Sequence, residues 1–176
     1  MRAGPIFPYK DKVPQLDASV FVAPTASVIG DIHVGPESSI WYGTVLRGDV
    51  MAIRIGARTS IQDNSVVHAT GGWAETVVGD EVTVGHSVIL HGCRVGSRVL
   101  VGMGSIVLDD AEIGEGTLIG AGSLVTARTK IPPGVLAHGR PCKALRDLKP
   151  EELEKVLEAA RLYVQYGREH RGSVGG

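Results

Sequence analysis

The sequence predicts an all-β fold: a parallel β-helix of six-residue repeats, finished by one C-terminal α-helix. Three observations carry this. Glycine makes up 24 of the 176 residues, about twice its ordinary share of ~7%. Val and Ile number 23 and 12 against 8 aromatic residues, a core chemistry that suits many short strands joined by tight turns. The third observation is that the aliphatics recur every six positions.

They fall at Val28, Val34, Ile40 and Leu46, resume at Ile55, Ile61 and Val67, and again at Val78, Val84 and Leu90. A last run passes through Val95, Val101, Val107, Ile113, Ile119 and Val125. Glycine follows the aliphatic at Gly35, Gly56, Gly79, Gly85, Gly96, Gly102, Gly114 and Gly120, and a small or β-branched residue often sits four places after it, as at Ser38, Thr59, Ser65, Ser105 and Ser123. Self-similarity at a fixed period marks a solenoid. Six residues make one short strand and one turn, and glycine is expected to supply turn angles that other residues resist. The aliphatic points inward, and the small residue leaves room at the corner. Three such flats close a triangular coil over about residues 12–135, whose rungs stack in parallel about 4.8 Å apart. Sandwich or barrel strands would instead alternate with period two.

The register breaks around Asp49–Arg54, over Ala69–Val77, and by one missing residue between Leu90 and Val95. The second stretch, with Gly71, Gly72 and an exposed Trp73, reads as a loop leaving the coil. After Ile131–Gly134 the pattern fades. Pro150 then opens a helix over about residues 149–170, with Glu151 and Glu152 where the helix dipole favours acids. Its apolar stripe of Leu153, Val156, Leu157, Ala160 and Val164 needs a surface, and the flank of the solenoid offers one within a single domain over residues 1–176.

Composition excludes several classes. A formal charge of −1 argues against a nucleic-acid or anionic-membrane partner, which would need clustered Lys and Arg. No apolar run approaches the ~20 residues that span a bilayer, and Met1–Lys10 lacks the uninterrupted apolar stretch and small-residue cleavage site expected of a secretory leader. Two cysteines, Cys93 and Cys142, make no disulfide framework and suit a reducing cytoplasm.

The polar residues fall in phase with the coil. If Leu46 begins flat A, then Ile55 begins B, Ile61 begins C and Val67 returns to A; with the loop set aside, Val78 is B, Val84 C and Leu90 A. Arg47, His68 and His91 each follow the aliphatic of flat A and should stack rung upon rung. Asp63 and His86 lie in adjacent rungs of flat C, with Gln62 beside them. A pair of histidines in a β protein is more often on the surface or hydrogen-bonded than a ligand pair, but this coincidence of phase favours a metal site, with Zn–N bonds of about 2.0–2.1 Å. His86 projects from another flat, so side-by-side packing of chains is needed to unite the three, and a threefold ring makes every contact equivalent. Three histidines and a water make a catalytic rather than a structural zinc site. His33, His138 and His170 read as ordinary surface residues, and Cys93 as a packed coil residue. Arg47 and Asp49 read as an interface ion pair.

The segments Arg47–Gly48–Asp49, Ile61–Gln62–Asp63–Asn64–Ser65–Val66–Val67–His68, Val84–Gly85–His86 and Leu90–His91–Gly92–Cys93 resemble those of the γ-class carbonic anhydrases, and the resemblance covers nearly the whole chain. It implies a left-handed β-helix and a homotrimer with three interfacial metal sites, His68 and His91 from one subunit and His86 from its neighbour. It implies reversible hydration of CO2 to bicarbonate by a metal-bound hydroxide, with Zn2+, Fe2+ or Co2+ as cofactor. Gln62 would hydrogen-bond the metal water, Tyr163 would approach the site from the helix, and Arg47, Asp49 and Asp63 would tie subunits together. The chain departs from the pattern at Val50, where well-known active members carry glutamate, in the loop after His68, whose acid is Glu75 alone, and at Gln165, where they carry asparagine. The site is thus expected complete and its proton exit altered. The competing readings are a metal-dependent acyl-CoA thioesterase on the same site and a non-catalytic metal-binding trimer subunit. A hexapeptide acyltransferase fits less well, because such enzymes use a catalytic histidine without this set of three.

Overall fold

Strands of two or three residues stack in parallel at the aliphatic positions of the repeat. On flat C, Ser60–Ile61 pairs with Thr83–Val84, which pairs with Leu100–Val101 and so on to Leu118–Ile119. On flat A, Val66–His68 lies between Val45–Ile55 and Ile89–His91. The structure is a computed structural model that describes residues 5–174. Part of the Met1–Lys10 segment searched for a leader, and both ends of the single domain expected over 1–176, therefore lie outside the described residues. The inward aliphatics form one continuous buried column, with Leu46, Ile61, Val67, Val84, Leu90, Val101 and Ile119 all inaccessible to solvent.

The glycines that follow the aliphatics serve a different purpose from the one expected. Their backbone angles are ordinary, and the left-handed conformation falls two places later, at Glu37, Arg58, Glu81, Ser87 and Arg98, and at Gly104, Gly116 and Gly122. What these glycines provide is close approach: a Cβ on Gly85 would lie 2.7 Å from the Met103 amide nitrogen, and one on Gly102 only 2.5 Å from that of Ala121. The next rung passes where a side chain would begin.

The residue four places after the aliphatic does more than leave room. Buried hydroxyls there bridge successive rungs. Ser38 Oγ donates to the Gly56 carbonyl at 2.7 Å and accepts from the Thr59 amide. Thr59 Oγ1 does the same with Gly79 and Val82, and Ser65 Oγ with Gly85 and Val88. Each hydroxyl satisfies two backbone groups that the corner of the triangle would otherwise bury unpaired.

The break at Asp49–Arg54 lies inside one long strand, Val45–Ile55. Its five-residue step from Gly48 to Ile53 faces the two-residue step from Gly30 to Ile32 on the strand Ser27–Val34. Val50, at the crest of this bulge, is half-exposed, and the loop of residues 69–77 folds over it, the Gly71 Cα side facing the Val50 side chain.

The C-terminal helix, Pro150–Val174, continues past the expected end. It lies across flat C, against Phe21–Val22, Ser39–Ile40, Ser60–Ile61 and Thr83–Val84, and buries Val156 and Ala160. The Glu152 carboxylate accepts from the Lys149 amide, half of a capping box, and is held by Arg146 through both oxygens. His170 is not the ordinary surface residue its lone position suggests. It packs within 4.9–5.9 Å of the Phe21, Trp41 and Tyr42 rings and meets the Tyr42 hydroxyl at 3.2 Å, because the helix lays this turn onto the aromatic end of flat C. His33 and His138 stay exposed, against Gln15 and the Ala121 carbonyl. Cys93 is fully buried, and burial pushes its thiol up to about 12, which suits a packed residue and not a nucleophile. Among the described residues, no helix is long and apolar enough to cross a membrane.

Candidate metal centre

His68 and His91 face each other across adjacent rungs because their strands pair in register, Val67 with Leu90 and His68 with His91. Nδ1 of His68 lies 3.2 Å from Nε2 of His91, with ring centroids 5.2 Å apart. One neutral imidazole can donate to another at this distance, but where each ring gives its other nitrogen's N–H to a carboxylate, two lone pairs face each other. Two nitrogens bound tetrahedrally to one zinc at about 2.0–2.1 Å would stand about 3.3 Å apart, so the donor spacing fits a metal.

The opposite nitrogen of each ring is already engaged. His68 Nε2 lies 3.0 Å from Asp49 Oδ1, and Arg47 donates to the other oxygen of that carboxylate at 2.5 Å. Burial raises the Asp49 carboxyl, but the hydrogen bonds from Arg47 and His68 outweigh it and hold the group below the usual carboxylate range. His91 Nδ1 lies 3.1 Å from Asp109 Oδ1. On flat C, His86 Nδ1 lies 2.9 Å from Asp63 Oδ2, as the common phase of these two residues requires. All three histidines therefore carry a carboxylate on one nitrogen and keep the other for a ligand. That is the arrangement in which metal-bound imidazoles are held, the acid fixing both tautomer and ring orientation.

Of the remaining site residues, Gln62 and Tyr163 lie on the side of flat C that carries Asp63, and Glu75 lies apart from them in the loop. Gln62 is buried on flat C and its backbone carbonyl accepts the Thr44 hydroxyl. Tyr163 stands edge-on to Trp41 at 5.4 Å and shares with Asp63, Tyr166 and Glu169 the wall of a cavity of about 460 Å³. Burial, then the nearby Asp63 and Tyr166, push its phenol above the ordinary value, so it stays protonated at neutral pH. Glu75 is held by Arg94 at 2.9 Å, near Trp73, whose ring is about half exposed. His86 projects from a different flat from His68 and His91. Among the described residues of one chain, no three His, Cys, Asp or Glu side chains come together to hold a metal.

Asp109 is the residue that sequence reading missed. Its signal is the flat map carried one rung further, since Val107 pairs with Leu90 and sets Asp109 on flat A beside His91. Gly92 is a second signal: it takes a positive φ, and a Cβ there would fall 2.0 Å from Asp109 Oδ1.

A family model for the bacterial transferase hexapeptide, six repeats, matches residues 92–127. The chain is 49% identical to a carbonic anhydrase of Geobacillus kaustophilus, over 94% of this chain and 91% of that protein. It is 45% identical to gamma carbonic anhydrase 1, mitochondrial, of Arabidopsis thaliana over 91% of this chain, and spans about 60% of that longer relative. A crystal structure of a hexapeptide transferase family protein from Anaplasma phagocytophilum superposes with a TM-score of 0.91 at 46% identity, covering 96% of this chain and 99% of that one.

Proposed function

The chain belongs to the γ-class carbonic anhydrase family, and from that premise we propose that it hydrates CO2 reversibly to bicarbonate at metal centres shared between the subunits of a homotrimer. His68 and His91 of one subunit and His86 of its neighbour hold the ion. Zn2+ is the first choice, with Fe2+ or Co2+ accepted by the same donors. The observation that carries this reading is the set of three carboxylate-backed histidines, two of them with their free nitrogens 3.2 Å apart. The two free, buried cysteines fit a reducing cytoplasm as its place of work.

A metal there supplies Lewis-acid activation, lowering the pKa of a water from 15.7 towards ~7. The protein's own residues do the rest. Asp49, Asp63 and Asp109 keep each imidazole in one tautomer. The Gln62 amide, which both donates and accepts, orients a reacting oxygen. Tyr163, kept protonated, offers a hydroxyl across the cavity beside Asp63. Arg47, tied to Asp49, and Asp63 stand where neighbouring subunits must meet.

Proton release is the weak point. Val50 carries no proton, and the one acid of the following loop, Glu75, is committed to Arg94. Hydration is therefore expected to be slow at low buffer and to rise with buffer concentration, and Val50→Glu to raise the low-buffer rate without changing metal content. The deciding test is stopped-flow CO2 hydration on zinc-loaded and on anaerobically iron-loaded protein, beside metal analysis and sedimentation. Full loading without hydration overturns the proposal and leaves the thioesterase or scaffold readings, which a thioester assay separates.

A further inference from the structure

The loop of residues 69–77 leaves the coil directly after His68, and hydroxyls at both of its ends reach back into the metal centre. Thr70 Oγ1 donates to Asp109 Oδ2 at 3.1 Å, while the other oxygen of that carboxylate receives His91 Nδ1. Thr76 Oγ1 donates to the His68 carbonyl at 2.5 Å and accepts from the Gly92 amide at 2.9 Å. Gly92, the residue after His91, is open on the side where Asp109 approaches, since any Cβ would occupy the position of its oxygen. The Asp109 side chain is 17% exposed, so its bonds are shielded from competing water. Asp109 is thus gripped from the loop and aimed at one nitrogen of one ring.

We infer that Asp109 is the positioning residue for His91. With the Thr70 hydroxyl as its anchor, it fixes the Nδ1–H tautomer and turns Nε2 towards the ion. The inference rests on the metal-centre reading above. It gives the short loop a structural role at the centre: Thr70 and Thr76 fasten the two rungs that carry His68 and His91. A carboxylate behind a metal-binding imidazole is typically worth about 10–100-fold in metal affinity, and a hydroxyl one step further out is worth less.

Two measurements on the full chain test this. Zinc affinity is read by competition with a chromophoric chelator. The His91 tautomer is read by long-range 1H–15N NMR on metal-free protein at a pH where the ring is neutral. Asp109→Ala should weaken zinc binding by about 10–100-fold and lose the pure Nδ1–H signature. Asp109→Asn, whose amide oxygen still accepts from Nδ1–H, should recover most of both and serves if the alanine variant folds poorly. Thr70→Val should weaken zinc in the same direction, by a smaller factor. Parent-like affinity or an unchanged tautomer in Asp109→Ala overturns the inference while leaving the metal centre standing. A parent protein that takes up no zinc overturns the metal-centre reading itself, and the ligand role of His91 with it.

Discussion

From Val95 to Ile131 the coil runs without interruption, whereas from Leu46 to His91 it is interrupted twice, and the three candidate ligands all lie in the interrupted part. The two regions share one construction. Ser65 and Ser105 are both buried hydroxyls at the same place in the repeat, the first joining Gly85 to Val88 and the second Gly120 to Ser123. Gly85 and Gly102 both yield to the backbone of the next rung. What differs is the inserted chain. The Gly48–Ile53 bulge delivers Asp49 to His68, and the loop of residues 69–77 delivers Thr70 to Asp109 and Thr76 to the backbone beside both histidines. Repetition supplies a rigid spacing and departures from it supply the chemistry, with Asp109 the one acid lent by the regular part.

The sharpest way to separate the two regions is metal content. His86→Ala should lose bound zinc as completely as His68→Ala or His91→Ala, although His86 stands on another flat, because in the proposed centre each would supply one of three protein ligands. Elemental analysis of purified variants decides it, and parent-like stoichiometry in any variant removes that residue from the site. A substitution in the regular part should do the reverse. In Gly102→Ala the new Cβ falls 2.5 Å from the Ala121 backbone nitrogen, an overpacking that should cost about 3 kcal/mol in denaturant unfolding. Near-neutral stability there would mean that the rungs can separate more easily than their spacing implies.

The shared hydroxyl device sharpens the comparison from the other side. Ser65→Ala leaves the Val88 amide and the Gly85 carbonyl short of a partner, whereas Ser105→Ala strands the Ser123 amide alone, since the Gly120 carbonyl keeps the Ser123 hydroxyl; each unpaired buried group costs about 1–3 kcal/mol. A larger loss in Ser65→Ala than in Ser105→Ala, with zinc retained by Ser105→Ala, is expected in thermal or denaturant unfolding. Equal costs in the two variants would show that the Ser123 hydroxyl does not hold the Gly120 carbonyl once Ser105 is gone.

The smallest effect lies outside both regions, at the start of the helix. The Glu152 carboxyl is drawn down from 4.5 to about 2, first by Arg146 and then by the Lys149 amide. A group whose folded pKa is depressed stabilises fully above its unfolded pKa and loses that contribution as pH falls through the folded value. The helicity gap between the parent and Glu152→Gln should therefore be constant above about pH 4.5 and close as pH falls to about 2. Circular dichroism across that window checks it, and a gap that persists at lower pH would detach the effect from this carboxyl.

Much of the architecture was legible because the coil writes its geometry into phase. A period of six fixes which residues share a flat, and sharing a flat fixes which residues become neighbours one rung apart. The contacts of His68 with His91 and of Asp63 with His86 followed from that alone. So did the inward column of aliphatics, while the helix opened by Pro150 was legible from its acidic first turn and its own apolar stripe. Three features did not follow. The glycine after each aliphatic reads as a turn residue, and only the stacked rungs reveal that it clears a path for neighbouring backbone. His170 has no partner in the repeat, and only the docking of the helix brings it among Phe21, Trp41 and Tyr42. Asp109 shares a flat with His91, yet which nitrogen it meets depends on Gly92 standing aside and on Thr70 reaching over from the loop. Periodicity along a chain determines register, whereas side-chain direction and reach between elements far apart in sequence are settled only when those elements pack.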